Sequence, residues 1–183
     1  AIAAQAIASK TDQLAMLPMI NLGLAMSTFT AQNYGAKEYK RILQGLYRTI
    51  FIAILWAIFF ATILIYFNRF FSGLFLSDGS KAVYNLALSY YVINGVLYWI
   101  LSILFVTRSF IQGLGKGLVP TLAGIMELVM RAGIATVGSI YFGFSGIAAS
   151  NPAAWIGALL VLLPSTFIMR KRLKAQANAP RAI

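Results

Sequence analysis

Five apolar stretches separated by short polar segments dominate the sequence. They lie at residues 4–31, 49–67, 82–107, 117–142 and 146–169. A helix of about 20 residues crosses the hydrocarbon core of a bilayer, so each stretch is long enough to be a span. The pattern predicts an all-α, polytopic transmembrane helix bundle over residues 1–169, followed by a basic tail at residues 170–183.

Composition agrees with a membrane protein. Apolar residues make up 60% of the chain and charged residues only 10%, whereas a soluble domain has roughly a quarter charged residues. The net charge of +11 comes from short interhelical segments and the tail, not from a basic face interleaved with aromatic residues. We therefore predict membrane lipids as partners and no binding of nucleic acid.

The chain contains no cysteine and no histidine. Disulfides and thiolate metal sites are excluded, and the commonest general base is missing. The few carboxylates are not paired at a catalytic spacing, so hydrolytic dyads lack their usual parts. We predict that the protein is not an enzyme and carries no cofactor.

The basic residues are distributed unevenly between the two sides of the predicted bundle. Eleven lie in residues 32–48, 108–116 and the tail, against two between the second and third spans. Because short cytoplasmic loops are enriched in Lys and Arg, this predicts a multi-pass protein of the plasma (inner) membrane with a cytoplasmic carboxyl terminus. An outside amino terminus without a signal sequence leads us to expect at least one further span before residue 1.

Two of the spans carry polar stripes. In the first, which we expect Pro18 and Gly23 to interrupt, Asn21 shares a face with other polar residues, a pattern more typical of helix packing than of a transport surface. In the third, Tyr91 and Tyr98 lie on one face with small residues, so this face should contact protein or water. Ordinary packing and a cavity wall for apolar or cationic organic molecules both remain open.

The fourth span contains an ionisable pair. Glu127 and Arg131 are four residues apart and therefore share a helix face with Pro120, Gly124 and Gly138. Charged residues at membrane depth usually face the bundle interior and often function in transport. A structural ion pair is the alternative, and in either case we expect that removing one partner is worse than removing both.

Four short motifs, taken in order, resemble the MATE (multidrug and toxic compound extrusion) transporters. They are Q-N-Y-G-A-K-E-Y-K-R at 32–41, G-L-G-K-G-L-V-P at 113–120, E-L-V-M-R at 127–131 and G-F-S-G-I-A-A-S-N-P-A-A-W at 143–155. The first is similar to the loop after the second helix of a MATE lobe, and Gln32, Asn33, Gly35 and Ala36 carry that likeness. The order and spacing of the four motifs match helices eight to twelve of a twelve-helix MATE transporter.

The resemblance implies five spans of a six-helix MATE-like lobe, with the amino-terminal lobe of the same transporter as its partner. It also implies a small organic, cationic substrate exchanged for Na⁺ or H⁺ by alternating access. A lipid-linked oligosaccharide flippase of similar architecture is the alternative. Several relatives have an acidic residue in the tenth helix, but residues 82–107 have none, so Glu127 is expected to be the only buried carboxylate.

The uneven distribution of basic residues predicts that Tyr34 to Arg41 faces the cytoplasm and that residues 71–81 face outward. Because the chain has no cysteine, Lys37→Cys and Ser80→Cys can each be probed separately with an impermeant thiol reagent on intact cells. We expect Ser80→Cys to be labelled and Lys37→Cys to be labelled only after lysis. Labelling of Lys37→Cys from outside would reverse the orientation.

Overall fold

The computed structural model describes residues 2–67, 70 and 81–178, with side chains for 12–67, 70, 88–143 and 145–178. All regular structure in this part of the chain is α-helical, which confirms the predicted fold class. The helices are α1 (Ile2–Gly35), α2 (Tyr39–Tyr66), α3 (Lys81–Gly95), α4 (Tyr98–Gly113), α5 (Leu118–Gly143) and α6 (Ser145–Asn178).

The described helices provide four or five candidate membrane spans. Four of them, α1, α2, α5 and α6, are long and apolar enough to cross a bilayer on their own. A fifth span results if α3 and α4 are taken together, although their axes are bent by 51°. The predicted number of spans is therefore reached only by counting this bent pair as one.

The bend between α3 and α4 corrects the expectation of one helix over residues 82–107. The N–H of Leu97 donates to the carbonyl of Asn94 at 3.0 Å, a tighter turn than the α-helical pattern. The helix restarts at Tyr98. No proline marks the break, but α3 ends at Gly95, a local signal that the sequence prediction did not use.

One predicted interruption and two predicted helix boundaries also differ from the structure. Helix α1 runs unbroken through Pro18 and Gly23, α2 begins at Tyr39 instead of residue 49, and α6 continues to Asn178 instead of ending at residue 169. Apolar runs mark only the part of a helix that lies in hydrocarbon. The extensions are amphipathic instead, with Ile42 and Leu173 buried between basic residues.

Two predicted turns are present. Helix α1 ends at Gly35, and the chain then reverses through Lys37 in a left-handed conformation with φ 57°. Helices α5 and α6 are separated at Gly143, whose φ of 57° and ψ of −128° favour glycine. The predicted outward loop at residues 71–80 and the last five residues of the tail lie outside the described residues.

Helix α4 lies at the centre of the bundle and packs against α1, α2 and the α5–α6 segment. Small side chains such as Ala53 and Ala57 on α2 let the helices approach closely, whereas Phe51 and Leu55 point outward. At one end of the bundle Gly113 lies beside Thr30, and Arg170 covers Tyr47. We call this the basic end: α1, α4 and α6 end there, and α2 and α5 begin there.

The contact between α1 and α4 at the basic end requires a glycine at position 113. A methyl group there would lie 2.5 Å from the carbonyl oxygen of Ser27 and 2.7 Å from Cβ of Thr30. We predict that Gly113→Ala lowers the free energy of unfolding in detergent by about 1–3 kcal/mol through overpacking.

Gly124→Ala is the matched control, because a methyl group at that helical glycine would contact nothing within 4 Å. The exchange should be neutral or stabilising by up to about 1 kcal/mol, since alanine is the better helix former. Equal thermal unfolding of the two variants would contradict the close packing of α1 on α4.

Candidate functional site

A buried carboxylate lies where α1 meets α3 and α4. Asp12 is only 4% exposed. The hydroxyl of Tyr90 donates to its Oδ2 at 2.5 Å, and the hydroxyl of Tyr98 donates to its Oδ1. Each carboxylate oxygen thus accepts a hydrogen bond from a residue that is also buried. Burial without such donors would be unfavourable for a carboxylate.

The cluster extends to α6. The side-chain amide of Asn151 donates to the hydroxyl of Tyr90 at 3.0 Å, and the ring of Tyr98 lies against Trp155 with centroids 6.1 Å apart. Among the described side chains, no Lys or Arg nitrogen lies within 4.0 Å of Asp12. We call Asp12, Tyr90, Tyr98 and Asn151 the Asp12 cluster, and it joins four helices.

A second polar side chain lies beside the cluster. The amide nitrogen of Asn94 donates to the carbonyls of Tyr90 at 3.1 Å and Ala148 at 3.4 Å. Its Oδ1 is buried and has no partner within the described residues. An unpaired buried acceptor is unusual in a folded protein and suits a ligand or a bound water.

The atoms gathered here are a carboxylate, phenol oxygens and an amide oxygen. Hard cations such as Na⁺ prefer oxygen ligands. Chains of hydroxyl and carboxyl groups inside membranes are also typical of proton relays. The arrangement therefore suits the binding of a small cation at the carboxylate, or the gain and loss of a proton there.

Of the residues nominated from the sequence, Tyr98 belongs to the Asp12 cluster, Tyr91 lies beside it and Asn21 is separate from it. Tyr91 and Tyr98, whose face is predicted to contact protein or water, are both buried within the bundle, and the ring of Tyr91 meets that of Tyr90 edge-on. Asn21 is exposed on α1 instead. In the described part of the chain no helix covers the stripe of Asn21, Thr28 and Gln32, so its predicted packing role is not met there.

Glu127 makes the predicted contact with Arg131, at 2.8 Å, and also a second one that the sequence did not indicate. Arg108 on α4 donates to the other carboxylate oxygen at 2.7 Å. The side chains are unequally covered, with 47% of Arg131, 23% of Arg108 and 21% of Glu127 exposed. The predicted pair is therefore a network of three residues that connects α4 to α5.

The expectation that Glu127 is the only buried carboxylate is wrong, because Asp12 is the more deeply buried. Asp12 lies inside the predicted first span, but in its polar segment at residues 10–13, and it was not nominated from the sequence. Its partners follow 78 and 86 residues later in the chain, which no local pattern shows. The one available signal is helical spacing, since Asp12 shares a face with buried Ala15 and Met19.

The loop that carries the family likeness serves as a helix stop at the basic end. Asn33 is nearly buried, and its side-chain amide donates to the backbone carbonyl of Phe29 at 2.7 Å. The backbone carbonyl of Asn33 accepts a hydrogen bond from the backbone N–H of Glu38 at 2.8 Å. Gln32, Gly35 and Ala36 are exposed. These residues shape the turn into α2 and are separate from the Asp12 cluster.

Comparison with known proteins identifies relatives of this bundle. A family model described as MatE matches residues 1–137. A structure described as the inward-facing conformation of a multidrug resistance MATE family transporter of the MOP superfamily is 20% identical, with a TM-score of 0.82 over 94% of this chain. A structure of the outward-facing conformation has 20% identity and a TM-score of 0.85 over 95%.

A MATE crystallised in complex with MaL6 is also similar, with 20% identity and a TM-score of 0.86 over 95% of this chain. The chain covers only 40%, 39% and 40% of these three structures, so it spans about two fifths of their length. No curated protein matches it.

The network around Glu127 predicts an order of stability losses in the intact protein. Arg131→Met should lower the free energy of unfolding by less than about 1 kcal/mol, because half-exposed ion pairs contribute little. Arg108→Met should cost about 2 kcal/mol, between an exposed pair and a fully buried one. Glu127→Gln should cost most, because it leaves both cations without their partner.

Lys116→Met is the control, since it removes an exposed positive charge at the same end and should be neutral. Removing Glu127 and Arg131 together would still leave Arg108 unpaired, so the recovery expected for an isolated pair should be incomplete. Thermal unfolding and folded yield measure both effects. Equal losses for Arg108→Met and Arg131→Met would contradict the unequal burial.

Proposed function

This chain belongs to the MATE family, and on that premise we propose that it works within a secondary active exporter of multiple drugs or organic cations. The exporter would be an antiporter driven by Na⁺ or H⁺ through alternating access. Membership of a transporter family and the membrane-spanning helices support a multi-pass transport protein over an enzyme. We place it in the plasma membrane with the basic end in the cytoplasm, following the charge distribution.

The observation that carries this proposal is the burial of Asp12 among oxygen atoms. An ionisable residue within a span is costly and by default functional. A bound Na⁺ or a proton would neutralise the Asp12 carboxylate. Tyr90 and Tyr98 fix the orientation of that carboxylate by donating to its two oxygens. The Oδ1 of Asn94 is buried without a partner in the described part of the chain, and the amide nitrogen of the same side chain donates to the carbonyl of Tyr90, so we include this oxygen in the proposed set of ligands.

The location of the two tyrosines suggests how occupancy at Asp12 could move the bundle. Tyr90 lies before the bend between α3 and α4, and Tyr98 lies immediately after it. Both hydrogen bonds end on the same carboxylate, so they help to hold the 51° angle between the two helices. A change of charge on Asp12 would weaken both bonds together and alter that angle.

Alternating access requires a second structural unit against which this bundle can move. We propose that the amino-terminal lobe of the same transporter is that unit. Relatives in inward-facing and outward-facing conformations share the fold of this bundle, with TM-scores of 0.82 and 0.85. The exposed polar stripe with Asn21 on α1 is the part of the surface that we propose lines the path of a small organic cation.

A lipid-linked oligosaccharide flippase is the second candidate. The half-exposed Arg131 favours it, because the network of two arginines and one glutamate has a net positive charge that suits a pyrophosphate group. In that case efflux of a cationic dye would be absent. Transfer of a lipid-linked pyrophosphate across the same vesicles would be seen instead.

The test is ion-driven efflux of a cationic dye from vesicles that contain the intact protein. We expect Asp12→Asn to reduce efflux to the level of vesicles without protein while folded yield is kept, since asparagine retains the shape but not the charge. Tyr98→Phe should weaken apparent affinity for the driving ion about tenfold or more, because it removes a hydrogen bond to a charged group. Imposing Na⁺ and H⁺ gradients separately would identify the ion.

Glu127→Gln is the matched control, because it neutralises the other carboxylate within a candidate span. We expect a lower folded yield for this variant but unchanged ion dependence per folded molecule. Normal ion-driven efflux by Asp12→Asn would contradict the proposal. Loss of ion dependence in Glu127→Gln alone would indicate that Glu127, and not Asp12, responds to the driving ion.

A further inference from the structure

A groove at the basic end runs between α2, α4 and α6, well away from the Asp12 cluster. Its deeper part is a cavity of about 490 Å³ lined mainly by apolar side chains. Leu46 and Ile50 come from α2, Ile103 from α4, and Leu163 and Phe167 from α6. The walls are those of an apolar slot on the outside of the bundle.

The groove continues toward the end of the helices into a second cavity of about 540 Å³, which shares Tyr47, Phe167 and Arg170 with the first. This part is basic, since Lys40 and Lys174 also line it. Residues 39–66 and 145–178 contain no Asp or Glu. The positive charge of this cavity is therefore not balanced by either of the two helices that form it.

Two side chains in the groove have buried polar groups that could form hydrogen bonds to a ligand. The guanidinium of Arg170 is fixed 4.8 Å above the ring of Tyr47, and its Nε is buried without a partner in the described part of the chain. One helical turn away, the hydroxyl of Thr166 is also buried and unpartnered there. Thr166 lines the apolar cavity. Unpaired buried donors of this kind are rare in folded proteins.

We propose that this groove binds one anionic phospholipid. Its phosphate lies between Lys40, Arg170 and Lys174, an acyl chain fills the apolar cavity, and the ester region lies at Thr166. A soluble anion would occupy only the basic half of the groove. A lipid would occupy both halves, because its headgroup lies at the membrane surface and its acyl chains lie deeper in the hydrocarbon. Basic pockets between spans are typical sites for anionic headgroups.

The surrounding surface supports a lipid as the occupant. Leu163 and Phe167, which line the groove, are about half exposed, and Leu160 on the same helix is more than half exposed. Such a surface is suited to hydrocarbon, so a lipid chain can enter the groove sideways from the bilayer. This inference does not depend on the proposed transport function, because it concerns an outer face and not the Asp12 cluster.

The test compares lipid retained by the intact protein after extraction from vesicles of phosphatidylglycerol and phosphatidylcholine, measured by native mass spectrometry. We expect wild type to retain phosphatidylglycerol in preference. In Arg170→Gln/Lys174→Gln the affinity should fall about thirtyfold, since each basic residue near an anionic lipid contributes about 1 kcal/mol. Lys37→Gln/Arg41→Gln removes the same charge from the same end outside the groove and should retain the lipid.

A second variant tests the apolar half with all charges kept. Leu163→Trp should fill the cavity and also reduce retention. Thermal stabilisation by phosphatidylglycerol but not by glycerol 3-phosphate would support a lipid over a free phosphate. The proposal would be overturned if all variants retained the lipid equally, or if Lys37→Gln/Arg41→Gln lost as much lipid as Arg170→Gln/Lys174→Gln. Stabilisation by glycerol 3-phosphate alone would also overturn it. So would photo-crosslinking from position 163 to protein instead of lipid.

Discussion

The structure depends on how one carboxylate, Asp12, is satisfied away from water. A buried carboxylate needs hydrogen-bond donors, and here the donors are hydroxyls from α3 and α4, one of which accepts in turn from Asn151 on α6. The positions of four helices are thereby linked through a few atoms. Hydrogen bonds depend on both distance and direction, so the Asp12 cluster restricts how far these helices can shift against one another.

The bend between α3 and α4 follows from the same requirement. Tyr90 and Tyr98 are eight residues apart, so on one straight helix their hydroxyls would be displaced by about 12 Å along the axis. The bend between the two helices accompanies the meeting of both hydroxyls on Asp12. Asn94, one residue before the end of α3, supports the bend by donating to carbonyls on α3 and α6. The break is therefore a part of the site and not an isolated irregularity.

The sequence predicted what depends on local pattern. Apolar runs located the spans, Gly35 and Gly143 marked the turns, and the four-residue spacing placed Glu127 beside Arg131. It did not predict what depends on contacts between distant segments. Asp12 lies in a polar segment of the first span, its partners are 78 and 86 residues away, and Arg108 on α4 meets Glu127 on α5. Helix ends were misplaced because hydropathy marks the hydrocarbon region, whereas helices extend beyond it as amphipathic segments.

The central claim is that the Asp12 carboxylate responds directly to the driving ion. Infrared difference spectroscopy of the intact protein, labelled with ¹³C-aspartate, measures that response when Na⁺ is added or the pH is lowered. The account predicts a shift in an aspartate carboxylate band that is present in wild type and absent in Asp12→Asn. An unchanged difference spectrum in Asp12→Asn would contradict it, because the ion would then act on another carboxylate.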